Sequence, residues 1–204
     1  MDSNSLLLFT VSSLALTLSP GPDIMYVFST SLTKDRLHGL KVSLGLCSGL
    51  WVHTLLVILG VGSFLNQYPE SQRILECLGG GYLLFLAVKS WSIIRKNTKD
   101  KNSTKSKNEN HFLTGFIMNL SNPKVSLFFI SFFPGFLFHQ TWSFQFQFLI
   151  LGTLFFIQAL LVFTVVIFFA GQIGSKFLNT KYSNRWNKIQ VVVLTLIALM
   201  LFYP

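Results

Sequence analysis

Charge is what this sequence has least of. Only 11% of its residues are Asp, Glu, Lys or Arg, where soluble domains carry about 25%, and the shortfall excludes an ordinary water-soluble surface. Acid is scarcer still, with 7 Asp and Glu against 16 Lys and Arg and a net charge of +9. The 2 cysteines, Cys47 and Cys77, fall inside apolar runs without CxxC or metal-ligand spacing, so both read as small buried hydrophobes and no metal site is expected. There is no HExxH zinc helix, and no second aspartate lies at depth beside Asp23 for a paired-carboxylate site. The opening MDSNS carries no Lys or Arg ahead of the apolar run, so the basic region of a cleavable signal peptide is lacking and the segment is expected to be mature sequence.

Apolar residues are what is there, at 51% of the chain. Stretches of roughly 20 residues, long enough to span a bilayer, recur from end to end. The expected fold is an all-α polytopic membrane protein with six transmembrane helices, near 6–31, 42–65, 74–94, 112–138, 144–171 and 189–202. On a soluble fold the positive charge would suggest nucleic acid; here it sits in loops, so no nucleic-acid partner is expected and the charge reports topology. The first connection holds Lys34, Arg36 and Lys41, the third Arg95, Lys96, Lys99, Lys101, Lys105 and Lys107, and the fifth Lys176, Lys181, Arg185 and Lys188. The second offers Arg73 and the fourth no basic residue. The positive-inside rule therefore places the odd-numbered loops in the cytoplasm and both termini outside. Trp91, Trp142 and Trp186 fall at span ends, as interfacial anchors do, and Glu76 sits near the outer end of the third span.

The polar, low-complexity stretch at 95–111 reads as a basic cytoplasmic linker that divides one membrane domain, 1–204, into halves 1–94 and 112–204. Each half has three spans, an odd number, so the second half must enter the membrane from the opposite side. That is the arithmetic of an inverted-topology repeat. The opening helix of each half is interrupted by a proline motif, LSPGPD at 18–23 and LSNPK at 120–124. Pro22 and Pro123 lack an N–H and clash with the preceding turn, while Gly21 is expected to free the chain from helical geometry. Freed backbone groups are costly in hydrocarbon unless they line a cavity, and half-helix ends direct partial charge at a bound ion or zwitterion. Asp23 and Lys124 follow the two prolines with opposite signs. They are either the two poles of a substrate site or a structural salt bridge.

Further polar residues lie at membrane depth. Asn119 and Asn122 flank the second break, and His53 is a proton-coupling candidate beside Asp23 because its pKa lies near neutrality unperturbed. Packing by hydrogen bonds accounts for a lone membrane histidine equally well. Gln158 and Trp51 are cavity candidates that also read as helix glue and lipid-facing bulk. Gly45 and Gly49 form a small-xxx-small spacing, and Gly79, Gly80 and Gly81 cluster in the third span; close helix packing explains both.

Taken in order, PGPD, GLKVSLGLCSGLWVH, GGGYLLFLAVK and FLTGFIMNLSNPKVSLFFISFFPGF resemble the LysE/RhtB family of amino-acid exporters, with PGPD and NPK the specific parts. The fifth and sixth spans match in hydropathy alone. The resemblance implies a bacterial inner-membrane exporter of amino acids or related metabolites, driven by the proton motive force and homodimeric, with no cofactor. It carries Pro20, Gly21, Pro22, Asp23, Asn122, Pro123 and Lys124 over as motif residues. The expected mechanism has Asp23 take the substrate ammonium or a proton, Lys124 and freed amides take the carboxylate, and the two halves rock to give alternating access and proton antiport. The alternatives are a cadmium or other cation exporter, a passive channel, and an intramembrane enzyme using Asp23, His53 or Cys47.

Overall fold

A computed structural model describes residues 3–19, 21–61 and 110–177, with scattered positions between 67 and 91 and between 188 and 199. Among the described residues every regular element is helical. This is the economical answer in lipid, because a helix satisfies its backbone groups within one segment.

The first apolar run folds as two helices, α1 over Ser3–Leu18 and α2 over Pro22–Thr33, bent by 55° at the break. Pro22 takes the first turn of α2, where a missing N–H costs little. Gly21 caps α2 with φ −163° and ψ 178°, an extended conformation open to any residue. The expected need for glycine's conformational freedom at the break is therefore corrected: Gly21 is where the chain passes the Lys124 ammonium, 3.4 Å from where a Cβ would stand.

Helix α3, Arg36–Leu56, begins well before position 42 because Asp35 caps it, accepting the His38 N–H at 2.8 Å. It runs into a π-helical turn at Val57–Val61. The fourth apolar run is also broken where expected, into α4 (His111–Leu120) and α5 (Pro123–Ser131), followed by a 3-10 turn at Phe133–Phe136. Helix α6, Phe144–Phe177, follows a loop stapled by Gln147. The buried Gln147 accepts from the Phe138 and His139 N–H groups at 2.8 and 3.0 Å and donates to the His139 and Trp142 carbonyls at 2.8 and 3.0 Å.

Two described helices, Arg36–Gly60 and Phe144–Ala170, are long and apolar enough to cross a membrane, and α1 with α2 makes a third if taken as one broken span. The expected third and sixth spans lie largely outside the described residues, as do most of the linker, Pro20, Glu76, Gly79, Gly80 and Trp186. Trp91 and Trp142 are exposed, as anchors at an interface are. Cys47 is buried but Cys77 is exposed, which corrects the expectation for the second thiol. In lipid an apolar run does not distinguish a core-facing position from a lipid-facing one.

Helix α3 lies centrally, packed on α4 most extensively and on α6 and α2. Glycine permits the α3–α4 approach from both sides: a Cβ on Gly45 would run into the Phe112 carbonyl, and one on Gly115 into the Val42 carbonyl. Gly49 likewise abuts the Asn119 side chain. A phenylalanine cluster fills the space among α1, α5 and α6, with Phe9 set edge-on to Phe133, Phe136 and Phe155. Leu7, Leu59 and Leu161 are more than 60% exposed on outward faces, as lipid contact requires. Where α2 turns into α3, Lys34 Nζ lies 3.2 Å from His111 Nε2, tying the end of α2 to the start of α4.

Candidate functional site

The two breaks meet. Asp23 is the second residue of α2 and Lys124 the second residue of α5, so the opposite charges occupy equivalent positions on two half-helices, each opened by proline. A carboxylate in a first turn is favoured by the helix dipole; a lysine there is not, and its ammonium needs another partner. Lys124 Nζ finds it across the interface, donating to the carbonyl of Leu16 at 2.9 Å and that of Ser19 at 3.5 Å. These oxygens lie at the C-terminal end of α1, where the Leu16 carbonyl also accepts the Ser19 N–H at 3.3 Å.

A second tie runs the other way. Asn122 caps α5, its Oδ1 accepting the Lys124 N–H at 3.0 Å, and its Nδ2 donates to Asp23 Oδ2 at 2.8 Å. Asp23 and Asn122 are both buried, at 8% and 5% exposure. The other carboxylate oxygen, Asp23 Oδ1, is buried and makes no hydrogen bond. Asp23 and Lys124 form no direct ion pair, although both line one cavity. Each charge is held by the other helix's break and not by its opposite number.

That cavity is about 20 Å³, the room of a single water molecule. Thr17, Asp23, Asn119 and Lys124 supply its polar lining, and Leu16, Leu46, Leu50, Val125, Phe155, Ala159 and Phe163 the apolar part. An amino acid fits only after the helices part.

Pro22 and Pro123 sit in the first turns of their half-helices, with Gly21 and Asn122 as caps, so all four shape the breaks. Asn119 lines the cavity and is buried against Gly49, and its backbone carbonyl lies 3.4 Å from His53 Nε2. His53 itself stacks on Phe129, ring centroids 5.4 Å apart, outside the cavity lining. Trp51 stands against Phe156 at 5.8 Å, away from the cavity. Gln158 accepts from Ser13 Oγ at 3.0 Å, one turn from Thr17. Among the described residues no group of three His, Cys, Asp or Glu side chains is placed to hold a metal ion.

Sequence reasoning missed the Leu16 and Ser19 carbonyls as the ammonium's partners. A signal was available, since the last carbonyls of a helix interrupted before Pro20 and Pro22 lie beyond the regular helical ladder and take hydrogen bonds from outside it. The apolar wall had no such signal, because Leu46 and Phe155 look like any other membrane residue.

A family model for the LysE type translocator matches residues 14–204. The chain belongs to the LysE type translocator family, and is thus a membrane transporter. It is 27% identical over 174 residues to the leucine efflux protein of Enterobacter sp., covering 85% of this chain and 82% of that one. It is 27% identical over 183 residues to the homoserine/homoserine lactone efflux protein of Salmonella typhimurium, covering 88% and 87%. An uncharacterized membrane protein of Vibrio cholerae is 27% identical over 190 residues, covering 93% and 92%. No solved structure matches.

Proposed function

We propose that the protein exports amino acids or related small metabolites across the bacterial inner membrane by proton antiport, alternating access between two inverted repeats of three helices each. In this reading both termini are periplasmic, the basic linker is cytoplasmic and the transporter is a homodimer. The observation that carries it is the pairing of the breaks: Asp23 and Lys124 at the same position of two proline-opened half-helices, cross-tied over one cavity. The efflux relatives support the direction and the substrate class.

The charges suit a zwitterion. Substrate ammonium pairs with Asp23, whose Oδ1 has a vacant acceptor, and substrate carboxylate draws Lys124 away from the Leu16 and Ser19 carbonyls. Those carbonyls hold the ammonium when no substrate does, so Lys124 keeps hydrogen-bond partners in both states. Proton and substrate ammonium compete for Asp23, and that competition is the coupling. The small cavity corresponds to a closed arrangement, and rocking of one half against the other opens it to each side in turn.

The test is efflux from vesicles loaded with labelled amino acids, with and without an imposed proton gradient. Wild-type efflux is expected to rise with the gradient, and the Asp23→Asn protein is expected to lose that response. An Asp23→Asn protein that exports at the wild-type gradient-driven rate removes Asp23 from the coupling.

A further inference from the structure

The cavity's composition bears on which amino acid is carried, an inference that rests on the exporter reading above. Among the described residues, the charged groups lining it are Asp23 and Lys124. An α-amino acid brings an ammonium and a carboxylate of its own, and these use both. A third charge, on the substrate's side chain, then has no counter-ion left to meet. The Thr17 hydroxyl donates its proton to the Ser13 carbonyl at 2.8 Å and carries no charge, so it supplies no counter-ion.

What remains for the side chain is the uncharged Asn119 amide, whose Oδ1 makes no hydrogen bond, and a larger expanse of hydrocarbon. Leu46 and Leu50, one turn apart on α3, face the cavity together with Val125 beside Lys124. From α6 come Phe155, Ala159 and Phe163, spaced by four so that all three fall on one face. Ala159, 2% exposed, lies between two phenylalanines as the smallest residue of the wall. The Phe-Ala-Phe series thus leaves a notch one helical turn from each ring. A charged group pressed into this wall is left uncompensated in a low-dielectric site, whereas an aliphatic group gains from leaving water.

We infer that the transported amino acids carry uncharged, aliphatic side chains, and that the notch at Ala159 sets the size accepted. Among the described residues the wall holds no further charge, and basic and acidic amino acids are excluded on that ground.

The experiment uses the purified full chain in proteoliposomes loaded with equal concentrations of labelled leucine, alanine, lysine and glutamate. Wild type is expected to export leucine at least tenfold faster than lysine or glutamate. Ala159→Leu, which fills the notch, is expected to lower the leucine-to-alanine efflux ratio at least tenfold. Ala159→Asp, which adds the missing counter-charge, is expected to raise the lysine-to-leucine ratio at least tenfold. If wild type exports lysine or glutamate as fast as leucine, the inference fails while the exporter reading stands. If Ala159→Leu leaves the leucine-to-alanine ratio unchanged, the notch is not the size filter and that part is overturned. If none of the four amino acids leaves wild-type vesicles under a proton gradient, the exporter reading fails and takes the inference with it. Should both variants elute as aggregates, the wild-type selectivity ratio alone decides.

Discussion

Asn122 donates its Nδ2 to Asp23 Oδ2 across 2.8 Å while its Oδ1 accepts the Lys124 N–H at 3.0 Å, so one side chain closes the break in α4–α5 and fixes the acid of α2. Two functions fail together when it is removed. Asn122→Ala loses a helix cap and a buried bond to a carboxylate, an expected cost of about 2 to 4 kcal/mol. Asn122→Asp keeps a capping oxygen but sets a second carboxylate against Asp23, so export is expected to fall more than tenfold with a smaller loss of stability. Unfolding in detergent, run beside vesicle efflux, separates the two; equal stability loss in both variants contradicts the division of labour.

His53 is expected to position Asn119 and not to carry the coupled proton, because its Nε2 meets the Asn119 carbonyl and its ring packs on Phe129 outside the cavity. His53→Gln should slow export severalfold yet leave efflux responsive to the proton gradient. Asp23→Asn should abolish that response. A His53→Gln protein whose efflux no longer depends on the gradient would transfer the coupling role to His53.

The α3–α4 crossing depends on glycine. Gly45→Ala drives a Cβ into the Phe112 backbone, which cannot yield as a side chain end can, and the expected cost is about 1 to 3 kcal/mol. Gly60 has nothing within 4 Å of its would-be Cβ, so Gly60→Ala should leave stability within about 1 kcal/mol of wild type or raise it. Thermal unfolding of the two variants in the same detergent makes the comparison, and equal midpoints would refute the close approach.

Outside the membrane, Asp35 caps α3. The His38 N–H, and then the His38 side chain, hold its carboxyl below the usual carboxylate range. Because the folded value is depressed, the cap's contribution is present above about pH 3.9 and is lost as pH falls through the folded value. Asp35→Asn keeps a capping oxygen without a titrating proton. Its stability relative to wild type should therefore improve as pH is lowered from 5 toward 3, measured as the difference in unfolding midpoint. A constant difference across that range would show that the cap does not titrate.

Much of this architecture is legible in residue order. LSPGPD and LSNPK announce helix breaks because proline removes a donor and crowds the previous turn, and both breaks stand where the motifs put them. Gly45 reads as a packing position and packs against α4. Facing was harder to read. Trp51, Gln158 and His53 are polar or bulky at depth, yet none lines the cavity, while Leu46, Leu50 and Phe155 do. In a soluble helix a polar stripe marks the outside, but in lipid both the outside and the packed inside are apolar.

Sequence by itself determined the class of protein, the membrane location and the two breaks, because hydropathy and proline act on the chain locally. Tertiary structure decided what the breaks do to each other. The backbone carbonyls of Leu16 and Ser19 carry no side-chain signature, and only the reach of Lys124 from α5 to the end of α1 turns them into the seat of an ammonium. The same contact brings Asn122 to Asp23, 99 residues away, and so turns two interrupted helices into one site.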